Sequence, residues 1–241
     1  MIDITMTATL RPGLVSQTLE SFCSNIFRDR DNYRLIINID PVGERVKSTR
    51  VIEVCNQYFK NVVYNVPASP SFSAAVIWCW SKTESDFVFH LEDDWLSVCK
   101  IDINDMVRIL KSNDNLACLR LSKYDIPKPT TVKLFAAHYT YTGDNHFITN
   151  SNNQFGLNPV LIKKEFIKQA LPIMSLHSNP EKQFRPSKNG KMNNLINNWR
   201  FGLYGVPGGK ATVLDNGRIW REKNNFKKPD ANSFLVWEKY R

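Results

Sequence analysis

The sequence predicts an α/β protein, with a mostly parallel central sheet flanked by helices and a smaller hairpin-and-helix lobe beside it. Three observations predict it. Strand and helix signals alternate through the first half with short connections, as in a sheet covered by helices on both faces. Residues 33–39 form a nearly unbroken apolar run, the mark of a strand buried on both sides. Three consecutive carboxylates, Glu92-Asp93-Asp94, directly follow another such run. That places them at a strand's carboxyl end, where open α/β sheets bind their ligands.

Each element has its own signal. Ile2–Leu10 alternates as a strand and is stopped by the breaker cluster Arg11-Pro12-Gly13. Leu14, Val15, Thr18, Leu19, Phe22 and Ile26 then recur at helical spacing. Val46, Val51, Val54, Cys55, Tyr58 and Phe59 repeat the pattern after the 33–39 strand, and residues 61–66 read as the next strand. A helix follows at 71–81 with Ser71 as its N-cap. Residues 87–91 predict a strand, 103–110 a helix and 117–121 a strand. Beyond these, 133–141 and 146–149 read as a hairpin around Thr142-Gly143-Asp144-Asn145. Residues 163–171 and 192–199 read as helices, separated by a polar, basic loop at 175–190 that is expected to be mobile. One more strand falls at 211–214, and a basic, aromatic tail runs from Asn216 onward. No linker divides the chain, so 1–125 and 126–241 read as two halves of one domain.

Composition narrows the class. With 241 residues, 42% hydrophobic and 12% aromatic, the chain is long enough for a full core and excludes wholesale disorder. No apolar run reaches the ~18 residues of a membrane span. Ile2–Leu10 reads as a strand where a leader would be basic and then apolar, so a cytoplasmic protein is expected. The five cysteines form no Cys-x-x-Cys pair and read as reduced packing residues. Residues 1–120 carry 13 Lys+Arg against 15 Asp+Glu, a net −2, and residues 121–241 carry 19 against 8, a net +11. Such an excess suits an anionic partner, or serves only as a solubilising surface.

The carboxylate cluster carries the chemistry. Adjacent carboxylates repel, and a divalent cation with hard oxygen ligands, Mg²⁺ or Mn²⁺, relieves the repulsion. The plainer alternative is an acidic helix start. Asp40, the acid that ends the 33–39 strand, stands at the same edge and suits either a ligand or the turn Asp40-Pro41-Val42-Gly43. The four histidines have no metal-ligand spacing, and His90, inside a strand, reads as a packed imidazole.

These motifs, in this order, resemble the family 2-like GT-A glycosyltransferases. The strand ending Thr9-Leu10-Arg11-Pro12 is similar to that family's opening strand, and Ile36-Ile37-Asn38-Ile39-Asp40 to its second strand, whose terminal Asp recognises the base. Residues 86–94 resemble the approach to its Asp-any-Asp motif, and Asn153-Gln154-Phe155-Gly156-Leu157-Asn158-Pro159 its acceptor-side segment. The resemblance implies that a nucleoside-diphosphate sugar, most simply a UDP-sugar, binds across Thr9, Arg11, Asp40 and Asp93. Glu92 and Asp94 would hold the metal, with Asp215 as a further ligand. Glu181 falls where the family places its base, although Lys182 replaces the usual second acid and a solvated loop glutamate remains the alternative. Asp144 is a reserve for that role, as is Asp215. Arg218 and Arg221 suit a diphosphate, or else the exposed end of a hairpin at Asn216-Gly217. The implied reaction is inverting transfer to an acceptor hydroxyl.

The acceptor reads as a glycan, or as a hydroxymethylated base in DNA. The basic half with Trp199, Phe201, Tyr204, Trp220 and Phe226 suits nucleic acid if those rings stack on bases. A basic nucleic-acid-binding protein without activity is the competing class. A nucleotidyltransferase ranks lower, because Arg11-Pro12-Gly13 offers no glycine-rich phosphate loop.

Overall fold

A computed structural model describes residues 1–128, 133–150, 155–185, 190–227 and 238–239. In chain order the elements are β1 (Ile2–Leu10), α1 (Pro12–Asn25), β2 (Tyr33–Gly43), α2 (Ser48–Tyr58), β3 (Val62–Asn65), α3 (Phe72–Ser81), β4 (Phe87–Glu92) and β5 (Trp95–Ser97). Then come α4 (Ile103–Ser112), β6 (Leu116–Arg120), α5 (Lys133–His138), β7 (Tyr139–Tyr141), β8 (His146–Thr149), β9 (Val160–Lys163) and α6 (Lys164–Ala170). The last are α7 (Gly190–Asn198), β10 (Arg200–Tyr204), β11 (Val213–Asp215), α8 (Gly217–Lys223) and the short paired strands β12 (Phe226–Lys227) and β13 (Glu238–Lys239).

Nine strands make one sheet in the order β3-β2-β1-β4-β9-β6-β10-β8-β7. β3, β2, β1 and β4 run parallel; β9 is antiparallel to both its neighbours; β6 and β10 resume the first direction. The carboxyl ends of β1, β2, β4, β6 and β10 therefore share one edge. Alternating side chains feed two cores. Phe89, Leu91, Leu119 and Leu161 pack with α1, α2 and α4, while Val88, Cys118, Val160 and Ile162 pack with α3, α6 and α7. A mostly parallel sheet between helices is the predicted fold.

Local chemistry explains most boundaries. Pro12 opens α1 where its missing N–H costs nothing. Ser71 caps α3, its Oγ accepting from Ala74 N at 3.3 Å. His90 is fully buried, shares a hydrogen bond with Thr5 Oγ1 at 2.9 Å, and is pushed down to about 3 by burial, so it stays neutral. The five cysteines are free thiols, and burial pushes Cys55 and Cys118 up to about 12.

Several expectations need correction. Residues 133–138 are helical, leaving only β7 to pair with β8, although the turn at 142–145 is as expected, with Gly143 and Asn145 at positive φ. Asn216-Gly217 starts α8 and is no hairpin turn. Asp40-Pro41-Val42-Gly43 continues β2 past a register shift and pairs Gly43 with Leu10. Gly43 adopts a φ of 124°, and a Cβ there would lie 2.8 Å from the Leu10 carbonyl oxygen, so only glycine fits. β5, β9 and β10 went unforeseen.

The 175–190 segment is also more than a mobile loop, although 186–189 lie outside the described residues. Phe184 is fully buried, its ring 4.4 Å from that of Phe155 and 5.7 Å from that of Phe166. Phe184→Ala is expected to cost about 3–5 kcal/mol in urea unfolding, the range for a buried aromatic. A loss below about 0.5 kcal/mol, normal for a surface loop, would contradict this packing.

Candidate active site

β1 and β4 lie side by side, so their ends bring Arg11 against the acidic cluster. Arg11 Nη2 donates a short hydrogen bond to Asp93 Oδ1, Nε reaches Asp93 Oδ2 at 3.3 Å, and Nη2 reaches Asp94 Oδ2 at 3.2 Å. Asp93 Oδ2 also accepts from the Thr9 backbone N–H at 3.0 Å and from Thr9 Oγ1 at 3.3 Å. Both partners of the pair are 3% exposed at the side chain. The Asp93 backbone is pinned as well, its N–H to Thr7 O and its carbonyl to Thr18 Oγ1 at 2.8 Å. Burial lowers the Arg11 pKa, but Asp93 and Asp94 more than offset it, so the guanidinium is held charged. Asp94 moves above the usual carboxylate range, through burial first and repulsion from Asp93 second.

Asp40 stands two strands away at the same edge. Its Oδ1 accepts from Asn38 Nδ2 at 2.8 Å and its Oδ2 from Ser71 N at 3.1 Å, while Asn38 in turn accepts from Asn65 Nδ2 at 2.7 Å. Burial pushes Asp40 up to about 6, against those hydrogen bonds. The folded state thus holds this proton more tightly than the unfolded chain. Stability from this group is full below about pH 4 and is lost as pH rises through about 6.

These residues line one pocket with Thr7, Ala8, Phe72 and Arg221. Its volume is ≈ 30 Å³, room for about one water. α8 roofs it: Trp220 lies over Arg11, 5.2 Å from centroid to guanidinium carbon, and a Cβ on Gly217 would sit 2.0 Å from Asp94 Oδ2. β11 brings this roof in by pairing with β5, with Asp215 opposite Trp95 and Asn216 N donating to Asp94 O at 2.8 Å. A larger groove of ≈ 700 Å³ opens at the amino edge of the sheet, lined by opposing charges such as Arg28, Asp29 and Lys111.

The structure brings Thr9, Arg11, Asp40, Glu92, Asp93, Asp94 and Arg221 together. Asp215 lies beside them but is exposed, its Oδ1 accepting from Gly217 N at 3.0 Å. Arg218 is not among them: it faces solvent and pairs with Glu222 at 2.9 Å. Asp144 belongs to the β7–β8 turn and pairs with Arg108 at 2.7 Å. β8 lies four strand positions from β4, about 19 Å at ordinary spacing. Glu181 reaches the carboxyl edge, where its Oε1 accepts from Leu157 N at 2.7 Å. Asn153 and Gln154 lie outside the described residues. Trp199, Phe201 and Phe226 are buried, and Tyr204 donates its hydroxyl to Asp105, so these four are not base-stacking platforms. Sequence reasoning missed Thr18, Asn38 and Phe72; only Asn38, a polar residue inside an apolar strand, carried a signal.

Among the described residues, no three His, Cys, Asp or Glu side chains converge as a preformed metal site. Glu92 and Asp94 nevertheless fit the chemistry of Mg²⁺ or Mn²⁺, which are commonly held by one or two carboxylates plus substrate phosphates. No helix among the described residues is long and apolar enough to cross a membrane.

By sequence, the chain matches no protein-family model and no curated protein. By structure it resembles glycosyltransferases. It superimposes on Staphylococcus aureus TarS with a TM-score of 0.58 at 8% identity, covering 89% of this chain and 36% of TarS. A shorter TarS chain, residues 1–349 with UDP-GlcNAc, gives 0.58 at 11%, covering 89% and 58%. The mannosyltransferase PcManGT from Pyrobaculum calidifontis, in complex with GDP-Man and Mn²⁺, gives 0.55 at 8%, covering 86% and 57%. The chain spans about a third to three-fifths of those proteins and shares their GT-A-like fold.

Arg11→Met leaves Asp93 buried without its cation and is expected to cost about 3–5 kcal/mol in urea unfolding. Adding Asp93→Leu should recover most of that loss. Equal destabilisation by the single and double variants would refute the pairing.

Proposed function

We propose that this protein is a glycosyltransferase that moves a sugar from a nucleoside diphosphate to an acceptor hydroxyl, with inversion. The observation that carries the reading is the single pocket where Asp40, Arg11 and Glu92-Asp93-Asp94 meet at the carboxyl edge of a GT-A-like sheet. The complexes of TarS with UDP-GlcNAc and of PcManGT with GDP-Man and Mn²⁺ support a nucleotide-sugar donor.

The residues divide the work by chemistry. Ionised Asp40 accepts a hydrogen bond from a base N–H, and a uracil N–H fits that acceptor. Arg11 holds Asp93 in place and also reaches Asp94, with Glu92 and Asp94 lining the pocket. Those two are the residues that would hold Mg²⁺ or Mn²⁺, and the ion, when bound, offsets charge on the departing diphosphate. Arg221 adds a guanidinium on the α8 side, whereas Arg218 is committed to Glu222. Glu181 takes the proton of the acceptor hydroxyl; the oxygen attacks the anomeric carbon as its bond to the diphosphate breaks. A nucleotide sugar exceeds ≈ 30 Å³ many times over, so the donor extends beyond this pocket along the carboxyl edge or displaces α8.

A thermal-shift panel of UDP and GDP with and without Mn²⁺ tests the reading. One of them should stabilise the protein, more strongly with Mn²⁺, and Asp94→Ala should remove the metal's contribution. No response to either nucleotide with Mn²⁺ would overturn it.

The pH dependence provides a separate check. Protonation below about 6 takes away the Asp40 acceptor, so nucleotide affinity should fall by about tenfold per pH unit below that point. Asp40→Asn should bind weakly at pH 7.5 and lack this component. A wild-type to Asp40→Asn affinity ratio that is constant from pH 5 to 8 would exclude Asp40 from donor binding.

A further inference from the structure

Arg120 ends β6, two strand positions from β4 and about 10 Å along the same carboxyl edge. It is half-buried, and among the described residues its one hydrogen bond runs from Nη2 to the Tyr139 hydroxyl at 3.0 Å. Its Nε is completely buried without a partner. No carboxylate of the described residues pairs with it, in contrast to Arg11, Arg34 and Arg108. A half-buried guanidinium whose Nε has no acceptor is costly to keep, and such a group suits a place where an anion arrives.

The direction in which it points is equally specific. A methyl group built on Gly156 would lie 3.1 Å from Arg120 Nη1 and 3.4 Å from Glu181 Oε1, so both side chains converge on one glycine face. Glu181 is oriented by the Leu157 N–H through Oε1, and its Oε2 takes no hydrogen bond from a described residue. Arg120 Nη1, which makes no hydrogen bond to a described residue, thus stands beside the carboxylate assigned above as the base.

We infer that Arg120 is an acceptor-binding residue that seats an oxyanion, a phosphate ester or a carboxylate, carried by the acceptor near the hydroxyl presented to Glu181. The inference rests on the glycosyltransferase reading for the word acceptor, and on geometry alone for the anion. Arg forks match phosphate and carboxylate oxygens in two-point contacts. The neighbouring Glu181 charge weakens anion binding while ionised, which sets the sign of a second variant.

The test titrates inorganic phosphate, and separately acetate, into the full chain, with and without UDP and Mg²⁺ filling the donor pocket. Phosphate or acetate should bind saturably in both conditions. Arg120→Gln should weaken binding about tenfold or more, Arg120→Lys less, and Glu181→Gln should tighten it severalfold. UDP affinity should be unchanged in Arg120→Gln. The anion preferred by the wild type assigns the acceptor group as phosphate ester or carboxylate. Anion affinity that is unchanged in both Arg120 variants, or that vanishes when UDP fills the donor pocket, would overturn the inference. If Arg120→Gln does not fold, Arg120→Lys and Glu181→Gln still decide it by the direction of their shifts. Absence of UDP binding, with phosphate binding still dependent on Arg120, would overturn the donor reading alone.

Discussion

The ion pair between Arg11 and Asp93 sets the geometry on which everything else at the carboxyl edge depends. Placing both charges at 3% exposure earns little net stability, because desolvation cancels much of the attraction. What it provides is position. Asp93 is drawn inward by the guanidinium, by Thr9 and, through its backbone, by Thr7 and Thr18. Held that way, it leaves Glu92 and Asp94 lining the pocket. The raised pKa of Asp94 comes from burial first and from the charge of Asp93 second.

A second constraint is the line of hydrogen bonds from Asn65 through Asn38 to Asp40, closed by Ser71 at the start of α3. It fixes one carboxylate across β3, β2 and a helix N-terminus. Both oxygens of Asp40 already accept a donor, yet burial still raises its pKa to about 6. The group is therefore well oriented but poorly solvated, a state that favours accepting one more hydrogen bond from a ligand. Orientation comes from the sheet, and affinity from what the sheet leaves unsatisfied.

The first half was legible because its signals are local. Long apolar strands, a breaker after Leu10 and a serine cap before α3 each declare themselves within a few residues. Asp40 and the acidic cluster were legible for the same reason, as polar residues at the ends of apolar runs. The second half depends on contacts that no short window contains. β9 is four residues placed between β4 and β6, and its apolar run merges into α6. Phe184 sits in a polar stretch and is recruited by Phe155 and Phe166, which are far away in sequence. Residues 133–138 hold a four-residue apolar run, Leu134–Ala137, that suits strand or helix, yet β7 alone pairs with β8. Arg218 and Arg221 are three positions apart in α8, yet one pairs with Glu222 and the other lines the pocket.

The same contrast explains why the +11 of the second half is a weak guide to function. Several of its cations are occupied with the fold: Lys163 donates to the carbonyls of Asn113 and Asp114, Lys164 to that of Glu84, and Lys210 pairs with Asp125. These charges stitch loops together and would look the same in a protein with no anionic ligand. A cation becomes informative when it stands at a strand's carboxyl end, is partly desolvated, and has been given no carboxylate. Arg120 meets all three conditions, although it belongs to the half of the chain whose net charge is −2. Local satisfaction, residue by residue, separates binding cations from structural ones; the sum of charges does not.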